Sequence, residues 1–123
     1  MDALKKRIEA FVAGHTDDPD AVHDVIGLLD RGELRVAEKN GEVWVINEWV
    51  RQAILLYFRV AQMAVHEVGP YEFYDKIPLK TKLEEQGVRL VPPGFIRYGA
   101  HVERGAVVMP GYVNIGAYVG SGT

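Results

Sequence analysis

The amino-acid sequence predicts an α+β amino-terminal domain followed by the first coils of a parallel β-helix. Amphipathic helical patterns fill much of the first half of the chain, and a hairpin pattern separates the second helix from the third. From Ile96 onward the sequence repeats with a period of six, which is typical of β-helices. The length of 123 residues alone would have suggested one ordinary domain.

Composition excludes several classes of protein. The chain has 14 Lys and Arg against 17 Asp and Glu, and this balance argues against a strongly basic nucleic-acid binder. The absence of Cys excludes a disulfide framework and a thiolate zinc site. No apolar run approaches the roughly 20 residues of a membrane span, and the amino terminus lacks the apolar core of a secretory signal. We therefore expect a cytoplasmic protein with no nucleic-acid or membrane partner.

The first two helices are marked by their apolar spacing and their ends. Residues 2–13 carry apolar side chains at helical intervals, and Gly14 suits the left-handed residue that follows a helix. Asp18 is a candidate N-cap, with Pro19 at the first helical position of the second helix. Gly32 is expected to end that helix. Both helices are amphipathic, so each should pack against another element.

A hairpin and a third helix should follow. Residues 34–38 and 43–46 favour strands, and Asn-Gly between them is a strong turn pattern. Asn47 can cap a helix over 48–59, which is apolar almost all round and should be the most buried helix of this half. Residues 61–80 remain unassigned. Residues 81–86 predict one or two helical turns that end at Gly87.

The repeat divides into IRYGAH, VERGAV, VMPGYV and NIGAYV, followed by GSGT. Aliphatic residues occupy the first place until Asn114, where the register either shifts or requires a polar group. Glycine recurs at the fourth place, where it permits a tight corner between short strands. A Gly-rich meander or an unstructured tail is the alternative. The fixed spacing and the lack of charge over 105–123 argue against both.

Most of the usual chemical sites are missing from the sequence. The four histidines are scattered, so we predict no metal site. The acidic residues over 17–20 suit a solvated helix start better than a cation loop. No Gly-rich phosphate loop is present, and a serine nucleophile is excluded in practice because Ser121 is the only serine.

Two segments remain as candidates for binding. Residues 74–80 form an aromatic and charged segment that could line a site or simply pack. Arg89 lies between Val88 and Leu90, so alternation places it on the opposite face of a strand. Its guanidinium could clasp the carboxylate of a ligand, or pair with an Asp or Glu of the same chain.

These segments resemble tetrahydrodipicolinate N-succinyltransferases. The resemblance rests on GVRLVPP at 87–93, IRYGA at 96–100 and MPGYVNIGAYV at 109–119. GLLDRG at 27–32, LRVAE at 34–38 and YDKIPLK at 74–80 match the same family in the same order. The similarity covers nearly the whole chain.

The resemblance implies an architecture and a reaction. Residues 1–88 would form the helical and hairpin amino-terminal domain, and 89–123 the truncated start of a left-handed β-helix. The family consists of homotrimers with active sites between adjacent subunits. Its members transfer succinyl from succinyl-CoA, a co-substrate, to the amino group of tetrahydrodipicolinate in lysine and diaminopimelate biosynthesis, with no tightly bound cofactor.

The family's roles transfer only in part. Its arginine that holds a substrate carboxylate falls on Arg89. Its acidic catalytic residue would lie beyond Thr123, so we expect no catalytic residue within this chain, and the CoA-binding residues stay unknown. Gly120 stands where many relatives carry an acidic residue. Because about one and a half coils are too few for a stable solenoid, we expect these residues alone to be inactive. A non-catalytic β-helix module and another hexapeptide CoA-dependent acyltransferase are the alternatives.

Overall fold

The computed structural model describes all residues, 1–123. Its helices are α1 (Asp2–Val12), α2 (Pro19–Asp30), α3 (Glu48–Val60) and α4 (Leu83–Gln86). The longer strands are β1 (Ala37–Asn40), β2 (Val43–Ile46), β3 (Ala64–Val68) and β4 (Tyr71–Asp75). Six two-residue strands follow, namely β5 (Arg89–Leu90), β6 (Phe95–Ile96), β7 (His101–Val102), β8 (Val107–Val108), β9 (Tyr112–Val113) and β10 (Tyr118–Val119).

The ends of α1 and α2 agree with the sequence prediction. Gly14 follows α1 with a φ of +82°. The Asp18 carboxylate accepts a hydrogen bond of 3.2 Å from the backbone N–H of Ala21, so this residue caps α2 as expected. It also receives two hydrogen bonds from the Arg7 guanidinium, at 2.8 and 2.9 Å, which join α1 to the start of α2.

The main core lies among the first three helices, and α2 is its centre. Five apolar side chains of α2 are buried, including Val22, Val25 and Ile26 at 0% exposure. The prediction that α3 is the most buried helix is wrong. Leu55 of α3 is 54% exposed, because one face of this helix has no element packed over it.

The first hairpin forms with a turn one residue later than expected. In β1 and β2, Asn40 pairs with Val43, so Gly41 and Glu42 are the two turn residues. Gly41 alone has a positive φ, +66°, which places glycine first in the turn as in type II′. Asn47 precedes α3 as predicted, but its amide donates to the Arg35 carbonyl at 2.8 Å instead of capping the helix.

The unassigned region contains a second hairpin. Strands β3 and β4 pair antiparallel from Ala64 opposite Asp75 to Val68 opposite Tyr71. A short α4 follows and ends at Gly87, which has a φ of +70°, as the sequence predicted. In the 74–80 segment, only Tyr74 and Asp75 belong to a strand, and residues 76–80 lie outside the strands.

Three parallel ladders end the chain. They pair β5 with β8, β6 with β9 and β7 with β10. Leu90 lies beside Val108, 18 residues later, but Ile96 lies beside Val113, only 17 residues later. The aliphatic position therefore falls one residue earlier, on Val113 instead of Asn114. This shift explains why Asn114 breaks the repeat.

The ladders enclose a second, smaller core. Its five buried residues are Val88, Ile96, Ala100, Val102 and Ala106. Each ladder has only two strands of two residues, and the structure shows no β-helix. The amino-terminal α/β domain is thus confirmed, whereas the left-handed β-helix stays a prediction.

Candidate functional site

The backbone of Arg89 lies in a ladder strand, and its side chain is exposed. Its backbone N–H donates to the Ala106 carbonyl at 3.2 Å. Val88 is 7% exposed and Leu90 is half-buried, so Arg89 does lie on the opposite, exposed face. No carboxylate lies within 4.0 Å of the Arg89 guanidinium, and no side-chain hydrogen bond involves it. The ion pairs of the chain all lie elsewhere: Arg7 with Asp18 and Asp24, Arg31–Glu33, Arg51–Glu48, Lys80–Asp30 and Arg97–Asp75. Arg89 therefore forms no ion pair with any of residues 1–123.

The surface beside Arg89 is apolar and carries no competing acid on its partner strand. Arg89 pairs in register with Val107, which is 41% exposed, and Met109 beyond it is 64% exposed. Arg104 packs over Gly87 and donates to the Glu85 carbonyl at 2.6 Å. An approaching carboxylate would thus meet the Arg89 guanidinium without displacing an internal partner.

The blocks 27–32 and 74–80 meet in a buried polar junction. The Lys80 side chain is 2% exposed, and its ammonium donates to the Asp30 carboxylate at 2.8 Å and to the Asp30 carbonyl at 2.9 Å. The same carboxylate accepts from the backbone N–H of Gly99 at 2.9 Å. A His101 ring nitrogen lies 3.1 Å from the Asp30 carbonyl oxygen. Lys80 therefore joins α2 to the ladders and is not available to a ligand.

Arg97 is a half-buried cation that the sequence did not reveal. Its guanidinium donates to the Asp75 carboxylate at 3.0 Å and to the Asn114 side-chain oxygen at 3.2 Å. It also lies 5.6 Å from the Phe58 ring centroid and 5.7 Å from that of Tyr112. Its two hydrogen-bond partners, Asn114 and Asp75, are 17 and 22 residues away, so no local pattern could have revealed the cluster. The polar Asn114 that broke the repeat was its one visible trace.

A groove of about 680 Å³ opens beside this cluster. One wall is the β3–β4 hairpin, and the other is the outer surface of β6 and β9. The Phe73 and Phe95 rings meet edge to face at its floor, with centroids 5.5 Å apart, and Tyr112 lies on the same wall as Phe95. The groove is mainly apolar, and its size is that of a small-molecule or peptide-anchor pocket.

Other chemistry is sparse in the fold. No three side chains of His, Asp or Glu are grouped so that they could share a metal ion. None of the four helices combines the length and hydropathy that a membrane crossing requires. Burial is the main cause that raises the pKa of the Tyr98 phenol, and the negative charge of Asp30 adds to it. Tyr98 is therefore neutral and packs as an aromatic residue.

Comparison with known proteins agrees with this arrangement. Residues 3–60, which span α1 to α3, match the family model described as "Tetrahydrodipicolinate N-succinyltransferase N-terminal". A 2,3,4,5-tetrahydropyridine-2,6-dicarboxylate N-succinyltransferase of Idiomarina loihiensis is 44% identical over 130 aligned residues, which cover 100% of this chain and 47% of the relative. The chain matches the amino-terminal part of the tetrahydrodipicolinate N-succinyltransferase family.

Two further succinyltransferases support the match to this family. The protein of Sodalis glossinidius is 49% identical over 111 residues, or 85% of this chain and 40% of the relative. A protein of Coxiella burnetii is 50% identical over 93 residues, or 72% of this chain and 34% of the relative. The chain thus spans less than half the length of each of these succinyltransferases, and the family resemblance found in the sequence is confirmed.

Proposed function

We propose that this chain is the amino-terminal part of an enzyme that transfers succinyl from succinyl-CoA to the amino group of tetrahydrodipicolinate, in lysine and diaminopimelate biosynthesis. The activity for which the relatives are named supports this reaction. The observation that carries the proposal is the free guanidinium of Arg89, held on ordered backbone with no acid of its own chain beside it.

Arg89 binds one carboxylate of the acceptor in this proposal. A guanidinium presents two parallel N–H donors that match the two oxygens of a carboxylate. Of the two roles that the sequence left open, pairing with an acid finds no support among residues 1–123, which favours the ligand role. Arg89 positions the acceptor and takes no part in proton transfer.

The reaction is a direct acyl transfer. The substrate amine forms a bond to the thioester carbon, and the bond from that carbon to sulfur breaks as the CoA thiol leaves. The amine loses a proton, so an acidic group near it acts as base, and backbone N–H groups stabilise the oxyanion that develops. The resemblance assigns that acidic group to a position after Thr123.

The assembly belongs to the same proposal. Residues 1–88 form the amino-terminal domain, and 89–123 begin a left-handed β-helix in a cytoplasmic homotrimer, with succinyl-CoA as co-substrate and no resident cofactor. The three ladders support this architecture, because their partners lie 17 or 18 residues apart, as three short strands per coil would place them. The exposed outer face of Arg89 is open to completion by a neighbouring subunit.

Arg89→Ala in the full-length enzyme tests the role of this residue. The assay measures succinyl transfer to 2-aminopimelate, a stable analogue of the acceptor. We expect KM for the acceptor to rise about tenfold or more, because a hydrogen bond to a charged group contributes roughly 1.5–3 kcal/mol. KM for succinyl-CoA should change little.

Arg59→Ala is the matched control. Arg59 is also an exposed arginine without an ion pair, but it lies on α3, away from the ladders. This variant should keep the kinetic constants of the parent enzyme. If Arg89→Ala leaves KM and kcat for the acceptor unchanged, Arg89 does not bind the acceptor. If the parent enzyme transfers no succinyl from succinyl-CoA to 2-aminopimelate, the proposed reaction is wrong.

A further inference from the structure

A second cation without an acidic partner lies beside Arg89. The side chain of Arg104 folds back from the turn between β7 and β8 and covers Gly87, where an added Cβ would lie 2.6 Å from Nη1 and 2.8 Å from Cγ of Arg104. The next residue in that turn, Gly105, donates its backbone N–H to the Gly87 carbonyl at 2.9 Å. The turn that carries Arg104 is therefore tied to the chain just before β5, two residues from Arg89.

Arg104 and Arg89 both lie on the outer side of the β5–β8 ladder. Both residues are exposed, whereas Val88 and Ala106 are buried in the small core inside the ladders. Two residues of extended chain span at most about 7 Å, so the Arg104 guanidinium, seated on Gly87, lies within side-chain reach of Arg89. Because the exposed Arg89 side chain is free to turn toward it, a short dicarboxylate can bridge the two guanidinium groups.

The Arg104 guanidinium is anchored by a neutral group. Its Nη2 donates to the Glu85 carbonyl oxygen at 2.6 Å. The carboxylates of Glu84 and Glu85 on α4, and that of the adjacent Glu103, all lie more than 4.0 Å from both guanidinium groups. A guanidinium has five N–H donors, so the carbonyl leaves most of them free for a ligand. The contact also restrains the side chain, which lowers the entropy cost of binding.

We propose that Arg104 binds the second carboxylate of the acceptor while Arg89 binds the first. This inference rests on the proposed function, in which the acceptor is a dicarboxylate, and it adds the residue that recognises the other end of that molecule. Each carboxylate receives a guanidinium of its own, and the placement of the two arginines selects acceptors with an acid at both ends. An acceptor with one carboxylate leaves one guanidinium without its partner and binds more weakly.

Arg104→Gln in the full-length enzyme tests this assignment, because glutamine keeps an N–H donor and removes the charge. Succinyl transfer is measured with 2-aminopimelate, which has a carboxylate at each end. Two analogues each keep one of these groups: 2-aminohexanoate lacks the carboxylate far from the amine, and 6-aminohexanoate lacks the carboxylate beside it. Both analogues are measured as competitive inhibitors against 2-aminopimelate, so each gives an inhibition constant Ki whether or not it is turned over.

For Arg104→Gln we expect KM for 2-aminopimelate to rise about tenfold, the usual effect of losing a hydrogen bond to a charged group. The Ki of one analogue should rise by the same factor, and the Ki of the other should not change. Arg89→Gln should give the reverse pattern, because it removes the partner of the other carboxylate. KM for succinyl-CoA should change little in both variants. Arg59→Gln, the control on α3, should change none of these constants.

Several results would overturn the assignment of Arg104. Equal increases in Ki for both analogues would indicate a general disturbance of the fold, and unchanged constants would show that Arg104 does not contact the acceptor. An effect on KM for succinyl-CoA alone would assign Arg104 to the donor instead. If Arg104→Gln and Arg89→Gln weaken the same analogue, the two arginines do not bind different carboxylates. A parent enzyme that transfers no succinyl to 2-aminopimelate would contradict the proposed reaction, and this inference with it.

Discussion

Lys80→Met removes the ammonium that joins α2 to the ladders while it keeps most of the side-chain volume. The lost contacts are two charged hydrogen bonds, to the Asp30 carboxylate at 2.8 Å and to its carbonyl at 2.9 Å. Breaking a buried ion pair by removing one partner costs about 3–5 kcal/mol. The Asp30 side chain is 19% exposed and keeps its bond from Gly99, so water compensates in part. We therefore expect a loss of about 3 kcal/mol in the free energy of unfolding.

Urea unfolding monitored by circular dichroism measures this loss. The control is Arg51→Met, which breaks the ion pair of Arg51 with Glu48, whose side chains are 55% and 54% exposed. A pair this exposed should contribute little to the free energy of unfolding. A loss in the free energy of unfolding below about 1 kcal/mol for Lys80→Met, or one no larger than for Arg51→Met, would refute the reasoning. It would show that the buried Lys80–Asp30 pair stabilises the fold no more than an exposed pair does.

A second prediction concerns the junction of the ladders with the helices, and a third concerns the ion pair that joins α1 to α2. Gly99→Ala should destabilise the protein by about 2–3 kcal/mol, because φ is +94° and the new Cβ would lie 2.7 Å from Ile115. Gly105→Ala is the control: its φ is similar, +88°, but the space around it is open, so it should cost only about 1 kcal/mol. Equal losses for the two variants in urea unfolding would contradict the close packing at Gly99. The hydrogen bond from Arg7 lowers the pKa of Asp18 below its ordinary value of 3.8. The ionised Asp18 carboxylate therefore stabilises the folded protein fully above pH 3.8, and this contribution is lost as the pH falls through the lowered pKa of the folded state. The urea midpoint of Asp18→Asn should therefore lie below that of the parent at neutral pH and converge with it in acid; a constant difference across this range would contradict the linkage.

Local patterns in the sequence predicted most of the secondary structure. Apolar spacing and end residues such as Asp18 and Pro19 act within a few neighbours, so α1, α2 and the short α4 were predicted nearly to the residue. The first hairpin was predicted with its turn shifted by one residue, because both Asn and Gly accept the turn geometry. The β3–β4 hairpin was missed because its strands lack a clean alternation of apolar and polar residues.

Burial and side-chain partners required the tertiary structure. The sequence of α3 is apolar almost all round, yet α2 buries five apolar side chains, whereas Leu55 of α3 is 54% exposed. The position of Arg89 on an exposed face followed from strand alternation, but its lack of an internal acid depended on where every other chain segment lies.

The sequence by itself determined the order of elements, the six-residue repeat and the family resemblance, because each of these is written in neighbouring residues or in short motifs. Only the tertiary structure decided that Lys80 and Asp30, 50 residues apart, form a buried pair, and that Arg97 bridges Asp75 and Asn114. The physical reason is that a hydrogen bond or an ion pair depends on distance in space, and spacing along the chain carries little information about contacts between remote segments.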